Sequence, residues 1–155
     1  MSIFPTKILL ATDGSREAEL ASRTAADLAQ STGSELHVLY VWEAANPYVE
    51  AVGLAGDEPV TLRLDAELRR QFDRQARAML DAQAEKVRVV GGTVAQAHLR
   101  MGKADHEIVT LAEKIGAGLI VMGGRGRGGI RRALMGSVSD SVVRHAHCPV
   151  LVVRQ

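Results

Sequence analysis

Five short runs rich in Val, Ile and Leu punctuate the chain, at Lys7 to Thr12, Glu35 to Trp42, Thr93 to Met101, Gly118 to Gly123 and Val150 to Val153. Between them lie segments with helical spacing at about 15–33, 60–90, 104–116 and 137–147. The order is βαβαβαβαβ. A strand that leads through a helix into the next strand returns in the same direction, and its helix must cover a face of the sheet. The expected fold is therefore α/β, an open five-stranded parallel sheet with helices on both faces. At 155 residues the chain is long enough to bury roughly 68 to 70% of its unfolded surface in one core, so 1–155 reads as a single domain.

Strand composition places the strands within the sheet. Ile8, Leu9, Leu10 and Leu119, Ile120, Val121 are continuously apolar, the pattern of central strands buried on both faces. From Val94 to Met101, Gln96, His98 and Arg100 alternate with Ala97, Leu99 and Met101, which leaves one face partly wet and predicts an edge strand. In the second helix Leu68, Phe72, Ala76, Met79, Leu80 and Val87 form a core stripe. Asp65 with Arg69 and Asp73 with Arg77 stand four apart on its solvated face. Residues 43–59 carry Pro47, Gly53, Gly56 and Pro59 with little periodicity, and read as a surface loop.

Charge excludes some functions. Lys and Arg number 19 against 18 Asp and Glu, a net charge of +1, so no global field favours nucleic acid or a membrane. One Trp, two Tyr and two Phe leave nothing to stack bases beside the arginines, which argues against a nucleic-acid partner. Neither a signal peptide nor a membrane span is legible near Lys7, and the lone Cys148 has no intramolecular disulfide partner; both features predict a cytoplasmic protein. Cys148 reads as a small apolar packing residue. His145 and His147 fall at the end of the last helix, where side chains two apart diverge, so they predict helix-end cations and no metal site.

The basic loop carries the binding signal. Between Met122 and Ser139 the chain reads MGGRGRGGIRRALMGSVS, with Arg125, Arg127, Arg131 and Arg132 among its glycines. Backbone N–H groups without a neighbouring Cβ, together with local positive charge, suit phosphate. Gly136-Ser137-Val138-Ser139 then opens a helix, whose N-terminus favours an anion; the plainer alternative makes Ser137 an ordinary N-cap. The first strand ends Thr12-Asp13-Gly14-Ser15. If it neighbours the fourth, both ends face one crevice. Asp13 is either turn punctuation or an acceptor for ribose hydroxyls. Gly124, Gly126 and Gly129 satisfy GxGxxG by chance, since they follow the fourth strand and no acidic residue lies suitably downstream; GxxxxGK[ST] is absent. No GxSxG elbow or paired nucleophile and base is evident, so no catalytic residue is assigned.

Gly123, two residues, Gly126, nine residues and Gly136-Ser137, with KILLATDGS at Lys7 to Ser15, LHVLYVW at Leu36 to Trp42 and GSVSDSVVRHAHCPVLVV at Gly136 to Val153, resemble the universal stress protein family over the whole chain. The resemblance implies a Rossmann-like, adenine-nucleotide α-hydrolase-like fold with strand order 3-2-1-4-5. It further implies a homodimer in which Val150 to Val153 pairs with its own copy across a two-fold axis. Position by position it makes Asp13 and the backbone of Val41 adenosine contacts, and sets Met122 and Gly123 beneath the ribose and first phosphate. Arg125, Gly126, Gly136, Ser137, Val138 and Ser139 would hold the triphosphate. Such a chain looks like the ATP-binding branch. Two departures stand out: Arg127-Gly128 where Leu-Ser is frequent, and Gly118 where many relatives carry Asp.

These features converge on a cytoplasmic regulatory dimer for the stress response, which binds ATP with Mg or Mn. Bound nucleotide would order the arginine loop and residues 43–59, so changing the surface shown to an unknown protein partner. The alternative is a slow ATPase or nucleotide or phosphoryl transferase, for which only Asp13 and Asp140 are candidate bases. A purely structural or chaperone-like dimer is a third class.

Overall fold

The computed structural model of this chain describes residues 2–43, 66–125 and 135–155. In order the elements are β1 (Lys7–Thr12), α1 (Arg16–Thr32), β2 (Glu35–Trp42), α2 (Ala66–Val89), β3 (Val94–Met101), α3 (Ala104–Ile115), β4 (Leu119–Gly123), α4 (Ser137–His145) and β5 (Val150–Val153). All four strand pairings are parallel, and the sheet runs β3-β2-β1-β4-β5. This is the α/β architecture and strand order expected above. β1 and β4 are neighbours with Ala11 beside Met122, and the strand order reverses between them.

The period of two along each strand divides the core into two layers. Ile8, Leu10, Val38 and Val121 turn to α1 and α2, where Ala21, Ala25, Leu80 and Val87 meet them. Leu9, Leu39 and Ile120 turn to the other face and pack on Ile108, Leu111 and Ala112 of α3 and Val142 of α4. Because β1 is flanked on both sides and covered on both faces, Ile8, Leu9 and Leu10 are fully buried. On α1 most of the buried residues are alanines, so the helix can lie close to the sheet. α1 and α3 stop at Gly33 and Gly116, both in the left-handed conformation that glycine adopts without a Cβ penalty. Gly118 answers a steric demand, since a Cβ there would collide with the Thr6 hydroxyl.

Some expectations shift at the edges. In α2, Ala76, Leu80 and Val87 are buried as the stripe required, and Phe72 meets Trp42 with ring centroids 6.5 Å apart. The side chain of Leu68 and the whole of 44–65, including Asp65 and most of the 43–59 loop, lie outside the described residues. α4 ends at His145, two residues before the expected boundary. Ala146 is already extended, because the chain must straighten ahead of Pro149 to pair Val150 with Ile120. His147 therefore stands beyond the helix, 3.8 Å from Glu113, while His145 Nδ1 lies 2.8 Å from the Ser141 carbonyl. Cys148 packs half-buried against the α3/α4 layer, and burial pushes its thiol up.

β3 is an edge strand, and a histidine pair joins it to β2 where their register shifts, between Leu36 and His37. His37 is 5% exposed. Its Nδ1 lies 3.0 Å from His98 Nε2 and its Nε2 lies 3.2 Å from Glu35 Oε2. A proton on His37 Nε2 facing the carboxylate leaves Nδ1 to accept from His98 Nε2–H, so one hydrogen bond bridges the two rings.

Burial first, then the neighbouring His37 and Arg100, hold His98 below the ordinary histidine value. As pH falls through about 6.5 the unfolded chain takes this proton first, so the folded state loses stability below that point and keeps it in full above. Amide exchange should accordingly show β3 protection constant above pH 6.5 and declining below it, and His98→Asn should flatten that step. An identical pH profile in the variant would refute the assignment.

Candidate functional site

The carboxyl end of β1 turns sharply into α1. Gly14 takes a positive φ of 79°, Ser15 N–H donates to Asp13 Oδ1 at 2.9 Å, and Ser15 Oγ caps α1 by accepting from Ala18 N–H at 3.2 Å. These contacts set Asp13 at the rim of the space beyond the sheet. Thr12 just before it donates its hydroxyl to Gln83 Oε1 at 3.1 Å, which fastens the end of β1 to α2.

At the end of β4 the glycines permit close approaches. A Cβ at Gly123 would lie 2.9 Å from the Glu17 carbonyl carbon and 3.0 Å from Ala18 N, so only glycine lets the first turn of α1 rest against β4. Gly124 is a junction. Its N–H donates to the Val153 carbonyl at 2.9 Å, and its own carbonyl accepts from Gly136 N–H and from Ser139 Oγ, the latter at 2.7 Å. The two glycine ends of the basic loop are thus hydrogen-bonded to each other, and the Ser139 hydroxyl, 2% exposed, locks them.

α4 begins without a side-chain cap. Gly136, not Ser137, is its N-cap residue, and glycine has no side chain with which to accept from the first turn. The ordinary Ser137 cap is thereby replaced, because Ser137 already belongs to the helix. The first N–H groups of an α-helix have no intrahelical acceptor, and they carry the positive end of the dipole. By contrast α3 opens beside the same space with Ala104 N–H donating to Glu43 Oε1 at 2.9 Å.

These ends surround one cleft of about 700 Å³. Asp13, Val41, Met122, Gly123, Arg125, Gly136, Ser137, Val138 and Ser139 all line it. Gly126, with Arg127, Arg131 and Arg132, lies outside the described residues. Ala11, Leu39 and Ile108 form apolar wall, while among the described residues Asp13 and Glu43 are the lining carboxylates. Asp140, the other candidate base, is not in the lining; it pairs with Arg144 at 3.0 Å, with both side chains exposed. Asp105 is held below its usual range chiefly by the Ser141 hydroxyl, which donates to it at 2.6 Å. Among the described residues no three His, Cys, Asp or Glu side chains group to hold a metal.

Glu17 escaped sequence reasoning. It occupies the first turn of α1, where acids are commonplace beside the dipole, yet it is only 6% exposed and reaches the β4 loop. Glu43 was missed for a similar reason, since its capping partner is 61 residues away.

Against known proteins, the model for the "Universal stress protein family" matches residues 5–154. A universal stress protein of Methanocaldococcus jannaschii is 35% identical over 149 residues, covering 96% of this chain and 82% of the relative. Among solved structures, hypothetical protein MJ0577 superposes with a TM-score of 0.76 at 27% identity, over 98% of this chain and 97% of that one. Universal stress protein UspA from Lactobacillus plantarum matches with a TM-score of 0.76 at 28% identity, over 97% and 99% respectively.

Gly123→Ala should destabilise the protein by about 1–3 kcal/mol in urea unfolding, because the added methyl meets α1 backbone that cannot move independently. Gly124→Ala should cost less, as the nearest atom to its Cβ is on the flexible Arg154 stem. The reverse ranking would contradict the close approach described.

Proposed function

The chain belongs to the universal stress protein family, and we propose that it is an ATP-binding member that works as a nucleotide-dependent regulatory dimer. The observation that carries this reading is the uncapped start of α4 at the cleft, beside the Gly123-Gly124 backbone. N–H donors at a helix N-terminus whose glycine N-cap supplies no side-chain acceptor suit a phosphate. The rest of the cleft fits the same ligand. Its apolar walls suit a purine, and Asp13 and the Val41 backbone would meet the adenosine. Met122 and Gly123 would lie beneath the ribose and first phosphate.

Arg125, Gly126, Gly136, Ser137, Val138 and Ser139 would hold the triphosphate. The Ser139 hydroxyl hydrogen is committed to Gly124, so its backbone N–H is the donor it offers. A Mg²⁺ or Mn²⁺ ion would enter with the phosphates, since phosphate oxygens supply most ligands to such ions and Asp13 is the nearby carboxylate at the rim. Bound ATP would supply a polyanion that draws the basic loop toward α4, and the altered surface would be read by a protein partner in the cytoplasm. No helix among the described residues is long and apolar enough to cross a membrane.

Gly136→Asp separates the two uses of this helix end. A carboxylate at the N-cap would accept from the Val138 or Ser139 N–H that phosphate requires. Calorimetry should show ATP affinity at least about tenfold lower, with an unchanged or slightly higher Tm. Wild-type affinity in the variant, or no saturable ATP binding by nucleotide-free wild type with Mg²⁺ or Mn²⁺, would sink the site. Phosphate release that depends on Asp13 and exceeds that of Gly136→Ala would favour hydrolysis instead.

The proposed dimer uses the open edge of β5. The Pro149 and Val153 carbonyls accept from Ile120 and Gly124, so by strand alternation the N–H of Val152 faces away from β4. Val152→Pro removes an outward donor and leaves the β4 ladder intact. Sedimentation should report a dimer for wild type and a monomer for this variant; a wild-type monomer would discard the edge pairing.

A further inference from the structure

Glu17 is the buried carboxylate that neither the cleft lining nor the glycine signature accounts for. Burying a carboxylate is costly unless hydrogen bonds and positive charge surround it, and here these come from the loop that the phosphate site depends on. Glu17 Oε2 accepts from Arg125 N–H at 2.6 Å, while Oε1 lies 3.4 Å from Arg125 Nε and 3.5 Å from Gln155 N. A Cβ on Gly124 would come 3.2 Å from the same Oε2 and 2.8 Å from Arg154 Cγ. Glycine at 124 therefore leaves room for the carboxylate beside Arg125. One side chain thus grips both the backbone and the guanidinium of Arg125, next to the carbonyl that ties the loop to α4.

Resting on the ATP reading above, we infer that Glu17 is a positioning residue that orients the Gly124-Arg125 backbone and limits how much of the Arg125 charge a phosphate can use. The two roles have different chemistry. Orientation needs only an acceptor oxygen for Arg125 N–H. The limit on charge needs the negative carboxylate, because a phosphate in the cleft and Glu17 compete for the same guanidinium. A neutral amide at 17 keeps the first role and removes the second. Alanine removes both.

Glu17→Gln and Glu17→Ala test this by amide exchange in nucleotide-free protein and by calorimetry with ATP and with adenosine. Exchange at the Arg125 amide should be at least about tenfold faster in Glu17→Ala and near wild type in Glu17→Gln, as expected for loss and retention of one buried acceptor. Glu17→Gln should bind ATP about three- to tenfold more tightly, the effect of removing one partly screened charge near the phosphates. It should bind adenosine within about twofold of wild type, since adenosine carries no charge to compete. A residue that merely stabilised the fold would move both ligands together.

Unchanged exchange at Arg125 in Glu17→Ala overturns the orientation role even if ATP binds. Equal shifts for ATP and adenosine overturn the charge role. If wild type binds neither ligand, the ATP reading fails and the charge role fails with it, while exchange at Arg125 still decides the orientation role.

Discussion

The backbone of Gly124 is where the structure is tied together. Its N–H is given to β5 through Val153, and its carbonyl is taken by α4 through Gly136 and Ser139. Glu17 of α1 holds the next amide. Three elements distant in sequence thus meet on two peptide units, and the loss of any one contact would strand a donor or an acceptor. A side chain at 123 would press on the α1 backbone, and one at 124 would crowd the Glu17 and Arg154 side chains. β4 ends in residues small enough for α1 to pack against Gly123 and for α4 to reach the Gly124 carbonyl.

That convergence explains why the cleft lining and the packing of the elements share residues here. Ser139 is a cleft-lining residue and also the lock on the loop. Gly123 lines the cleft and also seats α1. Gly136 caps α4 poorly as a cap, because it offers no side-chain acceptor, and that deficiency is what leaves N–H donors for a ligand. Local helix stability has been given up at the place where an anion could replace the missing cap.

Much of this was legible beforehand because it follows from periodicity. Continuous apolar triplets marked β1 and β4 as central, and the alternation from Val94 to Met101 marked β3 as an edge. Gly123 and Gly136 both line the cleft, and Gly136 is hydrogen-bonded to Gly124, the residue after Gly123. What stayed hidden were contacts whose partners are far apart in the chain: Glu17 with Arg125, Glu43 with Ala104, and His37 with His98. Taken singly, each of these residues matches a bland local pattern, an acid in a first turn, an acid after a strand, a histidine in a strand. The end of α4 was placed too late because helical spacing continues past His145, whereas the need to enter β5 ends the helix there.

The sequence by itself determined the alternation of elements, the burial of the central strands and the residue types gathered at the loop, since these depend on short-range periodicity and on the absence of side chains at glycine. Only the tertiary structure decided that Gly136 rather than Ser137 caps α4, that Ser139 turns its hydroxyl to Gly124, and that Glu17 accepts from the Arg125 amide. Those outcomes depend on which acceptor is nearest once the strands are paired, and that distance is set by packing between segments that spacing along the chain does not relate.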